Sequence, residues 1–178
     1  PPFGHTGEEQ LQSLLSDDGG FDHNLQSLKI VTKLEEMYAS HPGLNLTIET
    51  LDGIIKHNGP LTQKNDQILK YIKDSKKFEL TKSPSIEAQI AAISDDIAYN
   101  SHDLGDGLRA GFFNLSDIKS LPIIDEAYEF IDKKYKAVNY KTKCHEVIRH
   151  FLNKLVTGLI EESSKRLKLV QAKNFFNC

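Results

Sequence analysis

The sequence has few cysteines, no excess of positive charge and no long apolar run. Its two cysteines, Cys144 and Cys178, lie far apart without metal-ligand spacing, so we expect no disulfide partner, no zinc site and a reducing, cytoplasmic setting. A net charge of −3 excludes a general basic surface for nucleic acid, so an anionic ligand needs a local site. No run approaches the roughly 18 apolar residues of a membrane helix, and no signal-peptide pattern opens the chain, so no membrane association is expected.

Apolar residues recur with the three- and four-residue spacing of amphipathic helices. This period predicts helices over residues 7–15, 23–38, 47–57, 86–111, 123–135 and 141–170. The helix over 86–111 is expected to be the longest buried helix and to be interrupted or bent near Gly105-Asp106-Gly107. No alternating strand pattern occurs, so the fold class predicted is an all-α, bundle-like packing of one domain over 1–178. The lysine-rich stretch 62–83 is predicted to be an exposed insertion.

His5 and Glu8 lie three residues apart at a helix start, and this spacing has two interpretations. In one, the carboxylate caps the helix by accepting hydrogen bonds from its unpaired backbone N–H groups. In the other, the carboxylate orients an imidazole for acid–base chemistry. For an isolated pair the cap is the commoner case, and the sequence pattern alone leaves both open. His23, in a second histidine-containing segment, is by itself typical of a position next to a helix start.

The helix that contains Asp95 has two faces of different character. At about 100° per residue, the isoleucines at 86, 90, 93 and 97 share one side, and Ala88, Ala91, Ala92, Asp95 and Tyr99 share the other. A row of alanines favours close packing, so Asp95 is expected to be buried and Asp96 to reach water. A buried carboxylate requires a partner, which can be a cation from another helix or a metal ion.

Several strings in order resemble one known family, the HD-domain deoxyguanosine triphosphate triphosphohydrolases of bacteria. They are Pro-Pro-Phe-Gly-His-Thr-Gly-Glu-Glu at 1–9, Gly-Gly-Phe-Asp-His-Asn at 19–24, Gly-Ile-Ile-Lys-His-Asn-Gly-Pro at 53–60, and the segments at 85–90 and 95–100. The resemblance extends to about residue 165, and several long strings in order are far more specific than a single motif. It implies an HD-type helical domain of which this chain is the central part.

The resemblance also implies an activity and a cofactor. Members of the family split a deoxynucleoside triphosphate into deoxynucleoside and triphosphate, with a divalent ion that we expect to be Mg²⁺ or Mn²⁺. An upstream histidine, an adjacent His-Asp pair and a late aspartate hold that ion, and only the aspartate has a match here, Asp95. The His-Asp pair would precede Pro1, so this chain alone is expected to be inactive.

Further roles follow from the resemblance residue by residue. His5 and Glu8 match the acid–base pair, and His23 matches a histidine near the phosphates. Tyr99 and Asp103 match positions that pack on the sugar and bond its 3′-hydroxyl. The resemblance implies a deoxynucleoside triphosphate as ligand and assembly into a homo-oligomer. Two alternatives stay open, a non-catalytic structural remnant and an HD phosphohydrolase of another nucleotide.

Overall fold

The regular secondary structure of the described residues is entirely helical. The computed structural model describes residues 3–61, 68, 70–72 and 78–170, and no strand occurs among them. Its α-helices are α1 (Gly4–Leu14), α2 (His23–Lys29), α3 (Ile48–Ile55), α4 (Ile86–Ala110), α5 (Pro122–Lys134) and α6 (Tyr140–Val170). The predicted all-α fold class is therefore confirmed. Among the described helices, none is both long enough and apolar enough to cross a bilayer.

The second predicted helix ends earlier than its apolar period indicates. After α2 the chain forms one π-helical turn, Ile30–Leu34, in which the N–H of Glu35 donates to the carbonyl of Ile30 at 3.1 Å. The wider turn leaves the carbonyl of Val31 available, and it accepts from the N–H of Leu44 at 2.8 Å. The loop thus returns onto the helix end, and residues 35–38 are not helical.

A glycine is required where this loop meets the π turn. Gly43 has φ of 66°, and a Cβ atom there would lie 2.4 Å from the carbonyl carbon of Thr32. Any side chain would therefore be strained and would collide with backbone. The close approach lets the N–H of Gly43 donate to the carbonyl of Glu35 at 2.9 Å.

The described residues up to Gln89 form one compact unit with its own apolar core. The buried members of this core are Leu28, Ile55, Ile68, Ile72, Phe78 and Leu80. The last four fall within the stretch 62–83, so the described part of that stretch contributes to the core. Residues 62–67, 69 and 73–77 lie outside the described residues, and an exposed insertion there stays a prediction.

A buried ion pair lies on α3 within this first unit. Lys56 Nζ lies 2.9 Å from Asp52 Oδ1, one helical turn away, and the two side chains are only 3% and 4% exposed. Removing both charges from water is costly, and each compensates the other only at this short distance. The remaining oxygen, Asp52 Oδ2, is buried without a hydrogen-bond partner among the described residues.

The described residues from Ile90 to Val170 belong to a second unit, in which α5 packs on α6. Its core contains Leu108, Leu115, Ile124, Ala127, Ile131, Cys144 and Val147. Ion pairs between Lys143 and Asp132 and between Lys154 and Glu126 join the two helices at their exposed edges. α6 has 31 residues and α4 has 25. Only Ser101, Gly107 and Leu108 of α4 are buried, so the expectation of a long buried helix over 86–111 is wrong.

α4 continues as α-helix through Gly105 and Gly107, where a bend was expected. The need for glycine at 107 comes from packing, because a Cβ there would lie 2.4 Å from the ring of Phe113. Gly158 in the middle of α6 differs, since nothing lies within 4 Å of a Cβ at that position.

This contrast predicts opposite effects of the same substitution. Gly107→Ala should lower the free energy of unfolding by about 1–3 kcal/mol, because Phe113 must move to admit the methyl group. Gly158→Ala should raise it by up to about 1 kcal/mol through helix propensity alone. Urea unfolding followed by circular dichroism measures both, and destabilisation by the two variants alike would contradict the packing explanation.

Candidate active site

A carboxylate and an imidazole from different helices meet between α1 and α2. Glu8 Oε1 lies 2.7 Å from Nδ1 of His23, and Oε2 lies 2.9 Å from the same nitrogen. Glu8 Oε1 also accepts from the backbone N–H of His23 at 2.9 Å. The side chain of Glu8 is 18% exposed and that of His23 37%, so the contact is partly shielded from water.

The cap interpretation of Glu8 is half right. α1 begins at Gly4 without a side-chain cap, so Glu8 does not cap its own helix. It accepts instead from the first N–H of α2, one of the donors that a helix start leaves unpaired. Asp22 caps the same helix in the usual way, because its Oδ1 accepts from the N–H of Leu25 at 2.7 Å. The Glu8 carboxylate therefore accepts a hydrogen bond from the first N–H of α2 and also contacts the His23 imidazole.

This environment lowers the pKa of Glu8. Burial by itself would raise the pKa of the carboxyl group, but the hydrogen bonds from the ring and backbone of His23, with the charge of that ring, outweigh it. The pKa therefore lies below its ordinary value of 4.5. Glu8 is a carboxylate near neutral pH, the state that orients an imidazole and stabilises its protonated form.

Gln12 makes a second connection one turn further along α1. Its Oε1 accepts from the backbone N–H of Phe21 at 2.5 Å, and its amide lies against Gly20. A Cβ at Gly20, which has φ of 76°, would approach that amide oxygen to 2.4 Å. The sequence pattern did not single out Gln12, since glutamine on a helix is usually solvated.

A cleft of about 410 Å³ opens between α1 and the segment that leads into α2. From α1 it is lined by His5, Glu8, Glu9 and Gln12, and from the facing segment by Gly19, Phe21, Asp22 and Leu25. Helical spacing places His5, Glu8 and Gln12 along one face of α1, so both predicted members of the acid–base pair border this cleft. His23 joins them through its bond to Glu8.

The cleft is rich in negative charge. Glu8, Glu9 and Asp22 all contribute carboxylates to its lining. A polyphosphate entering this cleft would meet like charges, and that repulsion opposes binding unless cations offset it. Any phosphate ligand held here therefore needs positive charge in addition to that of the lining residues.

The remaining predicted site residues lie on α4, and the structure corrects one expectation about them. Asp95, Tyr99 and Asp103 are all exposed, and so is Asp96. The prediction that Asp95 is buried is wrong for this structure, whereas the prediction that Asp96 reaches water is confirmed. The physical reason is that the described residues cover the alanine face only in part: Ala88 and Ala92 are half-buried, but Ala91, next to Asp95 on this face, is exposed.

The described residues do not form a metal site by themselves. Nowhere among them do three His, Cys, Asp or Glu side chains come together closely enough to hold an ion. A single exposed carboxylate such as Asp95 binds a divalent cation too weakly to retain it. The assignment of Asp95 as a metal ligand stays a prediction for a longer protein.

Curated relatives identify the family. Three proteins named deoxyguanosinetriphosphate triphosphohydrolase-like protein match nearly the whole chain: 47% identity over 97% of it in Roseobacter denitrificans, 45% over 98% in Paracoccus denitrificans and 41% over 99% in Azorhizobium caulinodans. The chain spans 44%, 46% and 47% of the length of these relatives. No protein-family model matches the chain.

The class defined by these findings is an all-α protein with a carboxylate–imidazole pair whose carboxylate lines a cleft. Within that class, the chain belongs to the deoxyguanosinetriphosphate triphosphohydrolase-like proteins, of which it spans a little under half. The resemblance inferred from its strings is thereby confirmed.

The lowered pKa of Glu8 predicts how stability depends on pH. A group whose pKa is lower in the folded state stabilises the fold above its ordinary value of 4.5, and this stabilisation is lost as pH falls through the folded pKa. Glu8→Gln should therefore be less stable than the parent at pH 6, and the difference should shrink steadily below pH 4.5.

Urea unfolding at several pH values measures this difference. Glu9→Gln, at the neighbouring exposed acid, is the matched control and should show little pH-dependent difference from the parent. A difference for Glu8→Gln that stays constant from pH 6 down to about 3 would contradict the role of the Glu8 charge.

Proposed function

We propose that the protein containing this chain hydrolyses deoxynucleoside triphosphates to deoxynucleoside and triphosphate, with the cleft between α1 and α2 supplying acid–base chemistry. The single observation that supports this most is the Glu8–His23 pair, with Glu8 Oε1 2.7 Å from Nδ1 and Glu8 lining the same cleft as His5. The names of the relatives support the same reaction class.

The reaction breaks the bond between the α-phosphorus and the 5′-oxygen of the sugar. Water attacks the phosphorus, and the departing 5′-oxygen needs a proton as its negative charge develops. A histidine held by a carboxylate at Nδ1 keeps Nε2 for proton transfer, and the carboxylate stabilises the imidazolium that forms. In this structure that histidine is His23, whose Nδ1 Glu8 holds, so we propose His23 as an imidazole beside the phosphates that can transfer a proton. As the resemblance implies, we also propose His5 and Glu8 as the acid–base pair.

The acidic lining of the cleft favours a cation-dependent reaction. Three carboxylates border the cleft, so the phosphates of a substrate require compensating positive charge. We propose that the reaction uses a divalent ion, Mg²⁺ or Mn²⁺, and, from the resemblance, that Asp95 is one ligand of this ion. The other ligands would come from parts of the protein beyond this chain, so the 178-residue chain alone is proposed to be inactive.

The exposed face of α4 fits the sugar contacts that the resemblance implies. Tyr99 is 56% exposed and Asp103 is exposed, so each side chain has surface available for a ligand. We propose that the Tyr99 ring packs on the deoxyribose and that the Asp103 carboxylate accepts a hydrogen bond from the 3′-hydroxyl. We also propose that the protein containing this chain assembles into a homo-oligomer and is located in the cytoplasm.

The proposal can be tested in a full-length hybrid, in which this chain replaces the matching segment of the Roseobacter denitrificans relative. Release of triphosphate from the four deoxynucleoside triphosphates is expected, with ribonucleotides cleaved poorly. Cleavage of a different phosphoester would favour an HD phosphohydrolase of another nucleotide. Failure of both the hybrid and the natural relative on every substrate would favour a non-catalytic role.

Within that hybrid, His5→Ala and Glu8→Ala should each lower kcat by about 10²-fold or more, the scale of lost acid–base catalysis. The bound metal, measured by elemental analysis, should be unchanged. Glu9→Ala is the matched control in the same cleft and should retain most activity. A normal kcat in both variants, with only a lower melting temperature, would reduce Glu8 to a structural cap.

The adjacent acids of α4 provide a further matched pair. Asp95→Asn should remove most bound metal from the hybrid and abolish turnover, because an amide lacks the charge that a hard divalent cation prefers. Asp96→Asn should keep its metal. Equal metal loss in the two variants, or loss only at Asp96, would show that Asp95 is not the ligand.

A further inference from the structure

We propose that Gln12 is a positioning residue, which fixes the backbone ahead of α2 so that His23 meets Glu8. The catalytic meaning of this role rests on the proposed function, whereas the positioning itself concerns only the described residues. The hydrogen bond that Gln12 makes among the described residues is to the backbone of Phe21, and not to either of these two side chains. Its effect would pass through the backbone of Gly20 and Phe21.

The spacing of the contacts supports this role. Glu8 and Gln12 are four residues apart on one face of α1, which corresponds to a rise of about 6 Å. Phe21 and His23 are two residues apart, and Asp22 between them is extended, with φ of −139° and ψ of 125°. Two extended residues span roughly 6.6 Å, nearly the same distance. Gln12 therefore meets the N–H of Phe21 while Glu8 meets the N–H of His23.

These contacts form two parallel connections between α1 and the segment that faces it. The segment runs opposite to α1, since the later helix residue contacts the earlier loop residue. The two hydrogen bonds hold the backbone at Phe21 and at His23, and so they fix the direction in which the chain enters α2. With only the Glu8 connection, the segment could pivot about His23.

Because Gly20 precedes Phe21, the hydrogen bond to Gln12 is needed to hold the backbone of this segment in one conformation. A glycine with φ of 76° occupies a region of backbone space that glycine leaves easily, because it has no side chain to restrict it. The Gln12 amide fills the space where a Cβ would stand and holds the next N–H, that of Phe21. The positive-φ glycine and the glutamine therefore act as a matched pair.

The test uses the 178-residue chain itself and nuclear magnetic resonance. Gln12→Met keeps the length of the side chain but removes the acceptor. We expect amide hydrogen exchange at His23 to become about tenfold faster or more, and the pKa of Glu8 to rise toward its ordinary value as the His23 bonds weaken. Exchange at Leu25, which Asp22 holds independently, should stay within about twofold and serves as the internal reference.

Two further variants sharpen the comparison. Gln12→Glu keeps an acceptor oxygen and should restore slow exchange at His23. Gln10→Met lies about 200° around the helix from Gln12 and should change nothing. If Gln12→Met does not fold, Gln12→Asn, whose shorter amide cannot reach Phe21, gives the same two measurements.

Two outcomes would overturn the proposal. Unchanged exchange at His23 together with an unchanged Glu8 pKa in folded Gln12→Met would show that Glu8 and His23 meet without help. Equal acceleration at His23 and Leu25 would show a general loss of stability instead of positioning.

A kinetic measurement in the full-length hybrid separates this inference from the proposed function. Gln12→Met should lower kcat about tenfold with KM nearly unchanged, and it should add little to the loss caused by Glu8→Ala. A hybrid inactive on every substrate would end the proposed function, while the exchange and pKa measurements would still decide the role of Gln12.

Discussion

The contact between Glu8 and His23 is the interaction on which the organisation of the candidate site depends. A carboxylate at the middle of one helix accepts from both the ring and the backbone of the first residue of the next. The charge that favours the imidazole therefore also compensates the positive end of α2. Separating these functions would require two acids, and a cleft that already contains Glu9 and Asp22 would gain still more repulsion.

The two groups of predicted site residues differ in how much of their surroundings the chain provides. Around Glu8 the described residues supply an acid, an imidazole, a helix start and a bordering cleft. On α4 they supply only the exposed face that presents Asp95, Tyr99 and Asp103. Because the relatives are more than twice as long as the segment matched, the proposal assigns acid–base chemistry to the first group and only individual contacts to the second.

Much of the fold could be predicted from the sequence, because helical periodicity is a local property. The starts of α3 and α5 fall within one residue of the predicted positions, since Thr47 caps one and Pro122 begins the other. The early end of the second helix could not be predicted, because it depends on a hydrogen bond from Leu44, which lies beyond the helix. An alanine face can be identified in a sequence, but whether a neighbour covers it depends on the rest of the protein.

The candidate site was only partly predictable for a similar reason. The family strings bring His5, Glu8 and His23 to attention one by one, but they do not indicate which nitrogen meets which carboxylate across fifteen residues. Gln12 has no sequence signal at all. A positive-φ glycine followed by an N–H that needs an acceptor would be a usable signal, but the sequence does not reveal that φ is positive.

Because of the π turn after α2, the number of residues in this helical segment determines whether the following loop needs glycine at position 43. Such a turn contains one residue more than an α-helical turn, and its released carbonyl is the acceptor for Leu44. Losing one residue between Ile30 and Leu34 would restore ordinary helix, withdraw that acceptor and move Thr32 away from Gly43. In lineages where this helix is one residue shorter, the constraint for glycine in the following loop should disappear together with the extra residue. Related sequences should therefore have both the extra residue of the π turn and the glycine of the loop, or neither.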